Sequence, residues 1–509
     1  MTTKELRQLK SGTDIRGVAV EGLTDHPFTL TDEAVRRIAA GFAVWLDRRI
    51  EKHLGPLRVS VGHDSRITSE HNSALVVETM KEAGFAVTDC GLCSTPAMFM
   101  TTVDHDCDGA VQITASHHPY YRNGLKFFTR AGGLDGSDID QILDFAVAEE
   151  RLTPEEEGTV EAYPYMNDYC ERLRSMICEG VNATDYNRPL HGFHIVVDAG
   201  NGVGGFYAEK VLSPLGADIS GSVFLEPDGM FPNHIPNPEN AEAMASISRA
   251  VTENHADFGV IFDTDVDRAA CVDAKGNEIN KNRFIALAAR IATDGVKGAT
   301  IVTDSTTSDG LKKFIEQDLG GVHHRFKRGY KNVINEAIRL NIEGVDCPLA
   351  METSGHAALR ENYFLDDGAY LVTKLIIKLA QLGKEGKNLD DLIATLEEPA
   401  ESTEIRLNIT EEDFRAAGNR LIDRLTQICE EDVRCHVAPD NHEGIRVSFG
   451  PEDGDGWFLV RLSVHDPVIP INIESNQAGG CKKVAGILAE LIGSFDGVDF
   501  GPLDRYVNA

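Results

Sequence analysis

The sequence predicts an α/β protein with three similar mixed α/β domains and a smaller C-terminal α+β domain. Its 509 residues suffice for three or four domains at ~100–200 residues each. Up to residue 398, short apolar strands alternate with helical patterns, which is typical of parallel sheets covered by helices. Beyond that point the strands and helices no longer alternate in this way, which predicts an α+β unit.

The first domain is predicted over residues 1–165. Its strand patterns are LRVSV (57–61), AVTDC (86–90) and GAVQIT (109–114), and a helical pattern over 69–83 ends before a glycine. The second domain is predicted over 166–296. It contains strands at 193–199 and 257–262, with GNGVGG (200–205) and a helix after the first strand.

The third domain is predicted over 297–398 and the fourth over 399–509. The third has strands at 298–304, 323–327 and 347–351, with helices near 308–318 and 330–340. The segment LEEPAES (396–402) is acidic and contains a proline, so we interpret it as a linker. The fourth domain has strands in EGIRVSF, GWFLVRLSV and IPINIE, with helices at about 411–428 and 477–493.

Composition excludes several function classes. The net charge of −32 argues against a nucleic-acid-binding protein, which needs a basic surface. A locally basic pocket for a small anion is compatible with this charge. The N-terminus lacks the apolar segment of a signal peptide and no apolar stretch reaches ~18 residues, so we expect a cytoplasmic protein without membrane association. Ten scattered cysteines predict reduced thiols, and Cys90 and Cys93 lack the second pair that a zinc site needs.

Three aspartates follow the strand at 257–262 directly. Asp263, Asp265 and Asp267 occupy alternate positions, and in extended backbone all three point to one side. Three carboxylates on one side need a cation, and oxygen ligands suit a hard ion such as Mg²⁺. An EF-hand is rejected because Arg268 stands where that loop needs glycine and Ala274 where it needs glutamate.

The loop GNGVGG allows two interpretations. Its glycine spacing after a strand matches a dinucleotide-binding fingerprint, which favours an NAD-dependent oxidoreductase. That fold also needs an acidic residue ~20 positions on, whereas Asp218 comes early and Glu226 late. The other interpretation is a tight packing turn that binds no ligand.

Ser116 lies in ITASHHP, at the end of an apolar strand. The surrounding residues do not match the Gly-x-Ser-x-Gly pattern of esterases. In extended backbone His117 points away from Ser116, so His117 is not automatically its base. A serine that carries phosphate needs a metal, cations or backbone N–H groups instead, and the aspartates with Lys126 supply part of that set.

Two later loops carry further polar residues. Glu352, Ser354 and His356 lie on a glycine-containing loop at a strand end, where α/β proteins commonly bind ligands. Arg461, Ser463 and His465 stand at alternate positions and are suited to phosphate capture.

Together these residues resemble the α-D-phosphohexomutase family, which includes phosphoglucomutases and phosphomannomutases. The resemblance covers nearly the whole chain and keeps the order of the family's motifs. The matching segments are GTDIRG (12–17), TASHHP (114–119) with NGLKF (123–127), PDGMFPNHIPNPE (227–239), DTDVDR (263–268), METSGH (351–356) and DDG (366–368). In this family GNGVGG has its equivalent as a packing turn, and the four domains meet at a central cleft.

The resemblance implies a role for each matching residue. Ser116 is the phosphoserine and, with Asp263, Asp265 and Asp267, holds one Mg²⁺ per chain. The remaining candidates contact phosphate, handle protons or bind the sugar. Arg268 contacts the phosphoryl group, Arg16, His117 and Lys126 handle protons or contact phosphate, and His356 is a second acid or base. Glu352 and Ser354 bind hydroxyls, Gly329 and Lys331 belong to the sugar-turning loop, and Arg461, Ser463 and His465 bind phosphate.

The implied activity is interconversion of hexose 1-phosphate and hexose 6-phosphate, with glucose or mannose as the sugar. Ser116 would give its phosphate to one hydroxyl, the resulting bisphosphate would turn by about half a revolution, and Ser116 would recover the other phosphate. A hexose 1,6-bisphosphate would activate the enzyme. We expect a monomer or a homodimer.

The last loop departs most from the family. Val464, His465 and Asp466 replace the usual Gly-Thr-Glu, and Pro470 stands where a second arginine is usual. This departure supports a second hypothesis, a sugar-phosphate-binding protein of the same fold that is catalytically impaired. The NAD-dependent oxidoreductase is the third hypothesis.

Overall fold

The structure is a computed structural model that describes residues 1–50, 55–463, 466–493 and 495–509. It divides into two compact units, and each is assembled from two stretches of chain. The first unit comprises Met1–Asn280 and Ser354–Leu392, and the second comprises Lys281–Thr353 and Ile393–Ala509. The four domain boundaries inferred from the sequence stay a prediction.

The helices and strands of the described residues are numbered in chain order. The α-helices are α1 (Thr3–Arg7), α2 (Asp32–Arg49), α3 (Ser69–Glu82), α4 (Thr95–Asp104), α5 (Gly136–Val147), α6 (Met166–Val181), α7 (Ala241–Asn254), α8 (Lys281–Thr293), α9 (Asp309–Lys313), α10 (Tyr330–Ile342), α11 (Gly368–Gly383), α12 (Phe414–Glu431), α13 (Gly480–Ile492) and α14 (Gly501–Asn508). The strands are β1 (Lys10–Ser11), β2 (Asp14–Val18), β3 (Arg58–His63), β4 (Ala86–Leu92), β5 (Gly109–Ile113), β6 (Arg122–Thr129), β7 (Gly132–Gly133), β8 (Thr159–Ala162), β9 (Ile195–Asp198), β10 (Phe258–Phe262), β11 (Ala269–Asp273), β12 (Glu278–Ile279), β13 (Thr300–Asp304), β14 (Val322–Phe326), β15 (Leu349–Met351), β16 (Ala357–Leu359), β17 (Leu365–Asp366), β18 (Glu401–Ile409), β19 (His436–Val437), β20 (Ile445–Phe449), β21 (Gly456–Val460), β22 (Val468–Ser475) and β23 (Val498–Asp499).

The large sheet of the first unit is mixed, with the order β1-β2-β6-β5-β3-β4-β8. Strands β5, β3, β4 and β8 are parallel, β6 runs antiparallel beside β5, and β2 runs antiparallel beside β6. Val59 and Val61 belong to the core formed with α2, α3 and α5. Because side chains alternate along a strand, Ser60 points the other way, where it is hydrogen-bonded to Thr101 of α4 at 2.5 Å. Helices therefore cover both faces of this sheet.

The smaller sheet of the first unit has the order β12-β11-β10-β9, with β9 and β10 parallel. The helix predicted after GNGVGG is present as a π-helical segment, Tyr207–Leu212, followed by a 3₁₀ turn, Ser213–Leu215. Pro214 lacks the N–H that an α-helix would donate to the Lys210 carbonyl, which accepts a hydrogen bond from Arg174 instead. The prediction of a helix there is confirmed, and its hydrogen bonding differs from that of a regular α-helix.

Residues 354–392 add the β16–β17 hairpin and α11 to the first unit. Helix α11 packs on α6, where the Tyr169 hydroxyl donates to Asp367 Oδ1 at 2.6 Å. The Tyr207 hydroxyl is hydrogen-bonded to Thr373 of α11 at 2.9 Å. These two hydrogen bonds attach the start of α11 to α6 and the middle of α11 to the π-helical segment that follows β9.

The second unit contains the parallel strands β14-β13-β15 and an antiparallel sheet of order β19-β20-β21-β22-β18-β23. Helices α12, α13 and α14 pack on the antiparallel sheet around a core that includes Leu407, Phe458 and Leu488. Two expected elements are corrected: the linker is shorter because β18 begins at Glu401, and the strand in GWFLVRLSV ends at Val460. The helix near 308–318 is confirmed as α9 continuing into a π-helical turn, Phe314–Asp318.

Candidate active site

The serine loop, residues 114–119, follows β5 and places Ser116 in the first unit. The Ser116 backbone has φ +51°, and its N–H donates to Thr114 Oγ1 at 2.9 Å. The extended backbone assumed from the sequence is therefore wrong. Because of the left-handed conformation, the ring of His117 turns toward the serine, and its Nδ1 lies 3.3 Å from Ser116 Oγ.

Arg66 holds the serine loop in place, and the sequence did not single it out. Its guanidinium is fully buried and donates to the carbonyl oxygens of Ser116, His118 (2.7 Å), Pro119 (2.9 Å) and Arg122 (3.1 Å). Its Nε donates to Asp64 Oδ2 at 3.1 Å. All five N–H groups of the guanidinium have acceptors, so this side chain fixes the unusual backbone of the loop.

The aspartate loop, residues 263–267, joins β10 to the turn before β11. The carboxylates of Asp263, Asp265 and Asp267 are buried, with oxygens within 4.8 Å of one another. They converge because the chain turns, with Val266 at φ +67°, and not because the backbone is extended. Thr95, at the start of α4, donates its hydroxyl to Asp265 and its N–H to the Asp265 carbonyl at 2.9 Å.

The chemistry of these carboxylates fits a hard divalent cation. Asp265 Oδ1 and Asp267 Oδ1 are buried and accept no hydrogen bond from any described residue. Burial raises the pKa values of Asp263 and Asp265, and the nearby Asp267 carboxylate adds to both shifts. Burial also opposes ionisation of Asp267, but Lys126, His356 and Arg268 lower its pKa below the ordinary value. A cation would compensate this buried negative charge.

Arg268 connects the aspartate loop to the serine. Its Nη2 donates to Ser116 Oγ at 3.4 Å, and its Nε donates to Asp263 Oδ2 at 3.2 Å. The Ser116 hydroxyl itself donates to Asp263 Oδ2 at 3.1 Å. On its other side, Arg268 Nη1 donates to Asn237 Oδ1 at 3.3 Å and lies 3.6 Å from Glu239.

Lys126 and His356 lie beside the same carboxylates. Lys126 of β6 pairs with Asp267 and is 3.5 Å from Asp265. His356 pairs through its backbone with Arg268, and its Nδ1 lies 2.5 Å from Asp366 Oδ2 and 4.0 Å from Asp267 Oδ1. Burial raises the pKa of Asp366, with a further contribution from Asp267.

The two histidines after Ser116 lie in surroundings that disfavour their charged form. Their rings stack with centroids 5.1 Å apart. Burial lowers the pKa of His117 far below its ordinary value, and Arg268 lowers it further. Burial and the charge of Arg16 lower the pKa of His118 to about 3. Arg16 of β2 donates to Asp14 Oδ2 at 2.7 Å, and its charge contributes to lowering the pKa of both histidines.

The glycine loop GNGVGG packs against protein backbone. A Cβ atom on Gly202 would lie 2.6 Å from the Thr264 carbonyl oxygen, and one on Gly205 would lie 2.2 Å from the Leu225 carbonyl oxygen. The Val203 N–H donates to that Thr264 oxygen at 2.9 Å. These close approaches favour the packing interpretation. The glycine loop packs against Thr264 and so helps to hold the aspartate loop in place.

The second unit holds the other predicted residues, apart from Ser354, which belongs to the first. Gly329, with φ +119°, precedes α10, which contains Lys331, and its N–H donates to Glu352 Oε1 at 2.5 Å. Arg461 Nε is buried without a hydrogen-bond acceptor among the described residues, and burial lowers the pKa of its guanidinium. Ser463 Oγ accepts from the Asp466 N–H at 3.2 Å. His465 lies outside the described residues.

Comparison with known proteins agrees with this arrangement. Three family models match the chain: phosphoglucomutase/phosphomannomutase alpha/beta/alpha domain I at residues 7–152, domain II at 167–276 and domain III at 280–399. A phosphoglucomutase of Neisseria gonorrhoeae is 27% identical over 480 residues, which cover 94% of this chain and 95% of that protein. A phosphomannomutase/phosphoglucomutase of Pseudomonas syringae pv. tomato is 28% identical, covering 94% of each chain.

Solved structures show the same fold. A phosphoglucomutase/phosphomannomutase family protein from Burkholderia thailandensis superposes with a TM-score of 0.79 at 26% identity, covering 97% of this chain and 98% of that one. The phosphoglucomutase parafusin from Paramecium gives a TM-score of 0.70 at 17% identity, covering 99% and 96%. No helix among the described residues has the length and apolar character needed to cross a membrane. The chain belongs to the phosphoglucomutase/phosphomannomutase family, and it is therefore an isomerase of the phosphohexomutase type.

Proposed function

We propose that this enzyme interconverts the 1-phosphate and 6-phosphate of glucose or mannose through a phosphoserine at Ser116. The observation that carries the proposal is the position of Ser116 Oγ, which is 3.1 Å from Asp263 and 3.4 Å from Arg268 in a buried loop. A phosphoryl group on this oxygen would face one guanidinium and the carboxylate cluster. Such a group requires fixed positive charge to stabilise its transfer.

Asp263, Asp265 and Asp267, with the phosphorylated Ser116, would hold one Mg²⁺. When bound, the ion supplies positive charge to the phosphoryl oxygens. Thr95 and Lys126 support the aspartates from the protein side, through Asp265 and Asp267 respectively. Arg268, whose Nη2 donates to Ser116 Oγ, would donate hydrogen bonds to the phosphoryl oxygens.

The proposed reaction breaks the bond between Ser116 Oγ and phosphorus and forms one between phosphorus and a sugar hydroxyl oxygen. The hydroxyl proton must go to a base, and His117, Lys126 and His356 are the proposed proton-handling groups. The hexose 1,6-bisphosphate then turns and returns its other phosphate to Ser116. The same bisphosphate, bound from solution, would phosphorylate an unphosphorylated enzyme and so activate it.

The proposal also assigns substrate contacts. Glu352 and Ser354 bind sugar hydroxyls, and Gly329 and Lys331 contact the sugar as it turns. Glu352 is suited to this role because its Oε1 accepts a hydrogen bond from the Gly329 N–H, which fixes the orientation of the carboxylate. Arg461 and Ser463, together with the predicted His465, bind the phosphate that is not transferred. We further propose that the enzyme works in the cytoplasm.

The test compares Ser116→Ala with Ser137→Ala, which changes an exposed serine at the start of α5. Both are assayed with glucose 1-phosphate and mannose 1-phosphate, Mg²⁺ and the bisphosphate. We expect Ser116→Ala to lower kcat by on the order of 10³-fold or more, and intact mass to show one phosphate on the wild type and none on this variant. Normal turnover by Ser116→Ala refutes the phosphoserine.

The same assay distinguishes the impaired-protein hypothesis. A wild-type chain that binds hexose phosphate without interconverting it would be a sugar-phosphate-binding protein, and the proposed reaction would fall. The buried and hydrogen-bonded Ser116 favours turnover, because a binding protein has no need of a serine held between Asp263 and Arg268.

A further inference from the structure

Arg122 is a half-buried arginine at the start of β6 that no sequence motif singled out. In the antiparallel pairing of β2 with β6, Arg16 lies opposite Gly124 and Val18 lies opposite Arg122. Paired residues share a face, and so do residues two apart on one strand. Arg16 and Arg122 are therefore diagonal neighbours on one face of the sheet, within reach of each other's long side chains.

Gly124 makes room between the two arginines. A Cβ atom there would lie 3.1 Å from Arg16 Cγ and 2.9 Å from the Thr114 carbonyl oxygen. The Arg16 side chain thus passes over Gly124 beside the serine loop. Lys126 is two residues further on the same face of β6, so this face of the sheet carries three cations, Arg122 and Lys126 from β6 and Arg16 from β2.

The serine loop and Arg122 are fastened to the same guanidinium. Arg66 donates to the carbonyl oxygens of both Ser116 and Arg122, and the Arg122 N–H donates to the Pro119 carbonyl at 3.0 Å. Arg122 therefore cannot move away from the serine loop without breaking these hydrogen bonds.

The charge of Arg122 is not balanced by a carboxylate. Arg16 pairs with Asp14 and Arg66 with Asp64, whereas Arg122 forms no ion pair with any described residue. Its Nε is buried and has no hydrogen-bond acceptor within the described part of the chain. Burial lowers the pKa of Arg122, and repulsion from Arg16 lowers it further. Leaving a buried donor unpaired costs free energy that an anion would recover.

We propose that Arg122 and Arg16 form an anion subsite beside Ser116 that binds a phosphate monoester. The planar guanidinium fork of Arg122 is suited to two oxygens of one phosphate, with Arg16 contacting the same group. The subsite would hold the phosphate that enters or leaves Ser116, and so it rests on the proposed function.

The experiment measures binding of inorganic phosphate to the full-length chain by calorimetry, in an Arg461→Gln background that weakens phosphate capture at the other predicted loop. Arg122→Gln is compared with Arg130→Gln, which changes an exposed arginine on the turn after the same strand. We expect Arg122→Gln to raise the Kd by about 10-fold to 100-fold, the effect of one hydrogen-bonded charge, and Arg130→Gln to change it less than about 2-fold. An unchanged Kd in Arg122→Gln overturns the subsite.

Steady-state kinetics in the unaltered background give a second readout. We expect Arg122→Gln to raise KM for hexose 1-phosphate by about 10-fold or more, with Arg122→Lys between it and the wild type, because lysine keeps the charge but lacks the fork. If Arg122→Gln lowers the unfolding midpoint, the phosphate Kd of Arg122→Lys is used for the test instead. A phosphate Kd in Arg122→Lys equal to that of the wild type overturns the subsite. If the wild-type enzyme shows no turnover, the proposed reaction is refuted. If its phosphate Kd still depends on Arg122 in that case, the proposal of the subsite is retained.

Discussion

Replacing Arg66 with methionine tests whether one buried side chain holds the serine loop. The change removes a guanidinium whose five N–H groups bind four carbonyl oxygens and Asp64. Breaking a buried ion pair costs ~3–5 kcal/mol, and each carbonyl left without a donor adds ~1–3 kcal/mol unless water replaces the donor. We therefore expect the free energy of unfolding to fall by about 5 kcal/mol, comparable with the whole stability of a modest domain.

The assay uses the two tryptophans of the chain. Trp45 lies in α2 and Trp457 in β21, so a Trp457→Phe background leaves a fluorescent reporter in the N-terminal region alone. Urea unfolding of Arg66→Met is compared with Arg66→Lys, for which we expect a smaller loss of ~2–3 kcal/mol, since one Nζ cannot reach all the acceptors. The control is Arg130→Gln, an exposed change expected to stay within ~0.5 kcal/mol.

A second variant separates the two causes of the loss. If the unpaired Asp64 dominates, Asp64→Asn combined with Arg66→Met should be more stable than Arg66→Met alone. If the loss comes mainly from the carbonyl oxygens left without a donor, the double variant should be no more stable than Arg66→Met. A loss below ~1 kcal/mol in Arg66→Met would refute the reasoning, because the loop would then keep its shape without the guanidinium.

Two further predictions concern other parts of the chain. Burial raises the pKa of Glu474 from its ordinary value of 4.5 to about 7. Between these two pH values the native state keeps a proton that the unfolded state has released. The free energy of unfolding of the C-terminal region should therefore fall by roughly 3 kcal/mol as the pH rises from 4.5 to 7. Glu474→Gln should flatten this profile, as measured by Trp457 fluorescence in a chain without the other tryptophan; a persisting slope would contradict the assignment. Gly202→Ala should cost about 1–3 kcal/mol and lower activity, because its Cβ would lie 2.6 Å from the Thr264 oxygen. Gly450→Ala, whose Cβ meets nothing within 4 Å, is the control, and equal behaviour of the two would contradict the packing argument.

The sequence was most informative where a strand ends in a chemical motif. The aspartates after β10 and the serine after β5 were placed correctly at strand ends, because apolar runs and the polar residues after them are visible locally. The regular strands and helices were found for the same reason. Their exact ends were predicted less accurately. At Glu401, for example, the pairing of β18 with β22 extends into the acidic segment 396–402 that we interpreted as a linker.

Backbone conformation could not be predicted in the same way. Alternation along an extended strand suggested that Ser116 and His117 point apart and that the three aspartates share one side. The left-handed residues Ser116 and Val266 break that alternation in both loops. Neither is a glycine, the usual signal for such a conformation, so the sequence gives no warning.

The supporting residues were also hidden, because they act over long sequence separations. Arg66 lies 50 residues before the serine whose carbonyl it binds, and Thr95 lies 170 residues before Asp265. The Ser-Thr-Pro start of α4 was a readable signal for a helix terminus, and it could have marked Thr95 as a residue near a loop. No local pattern marks Arg66, whose importance depends on which carbonyl oxygens the fold brings to it.

The division of the first unit into two stretches of chain has a consequence during protein synthesis. Residues 1–280 leave the ribosome first, but His356, Asp366 and all of α11 are still to be made. At roughly 5–20 residues per second, the surface of α6 that α11 later covers stays exposed to water for about 10–40 seconds. The nascent chain must therefore keep the apolar face of α6 uncovered while the intervening segment is translated, and a chaperone could bind this face during that interval.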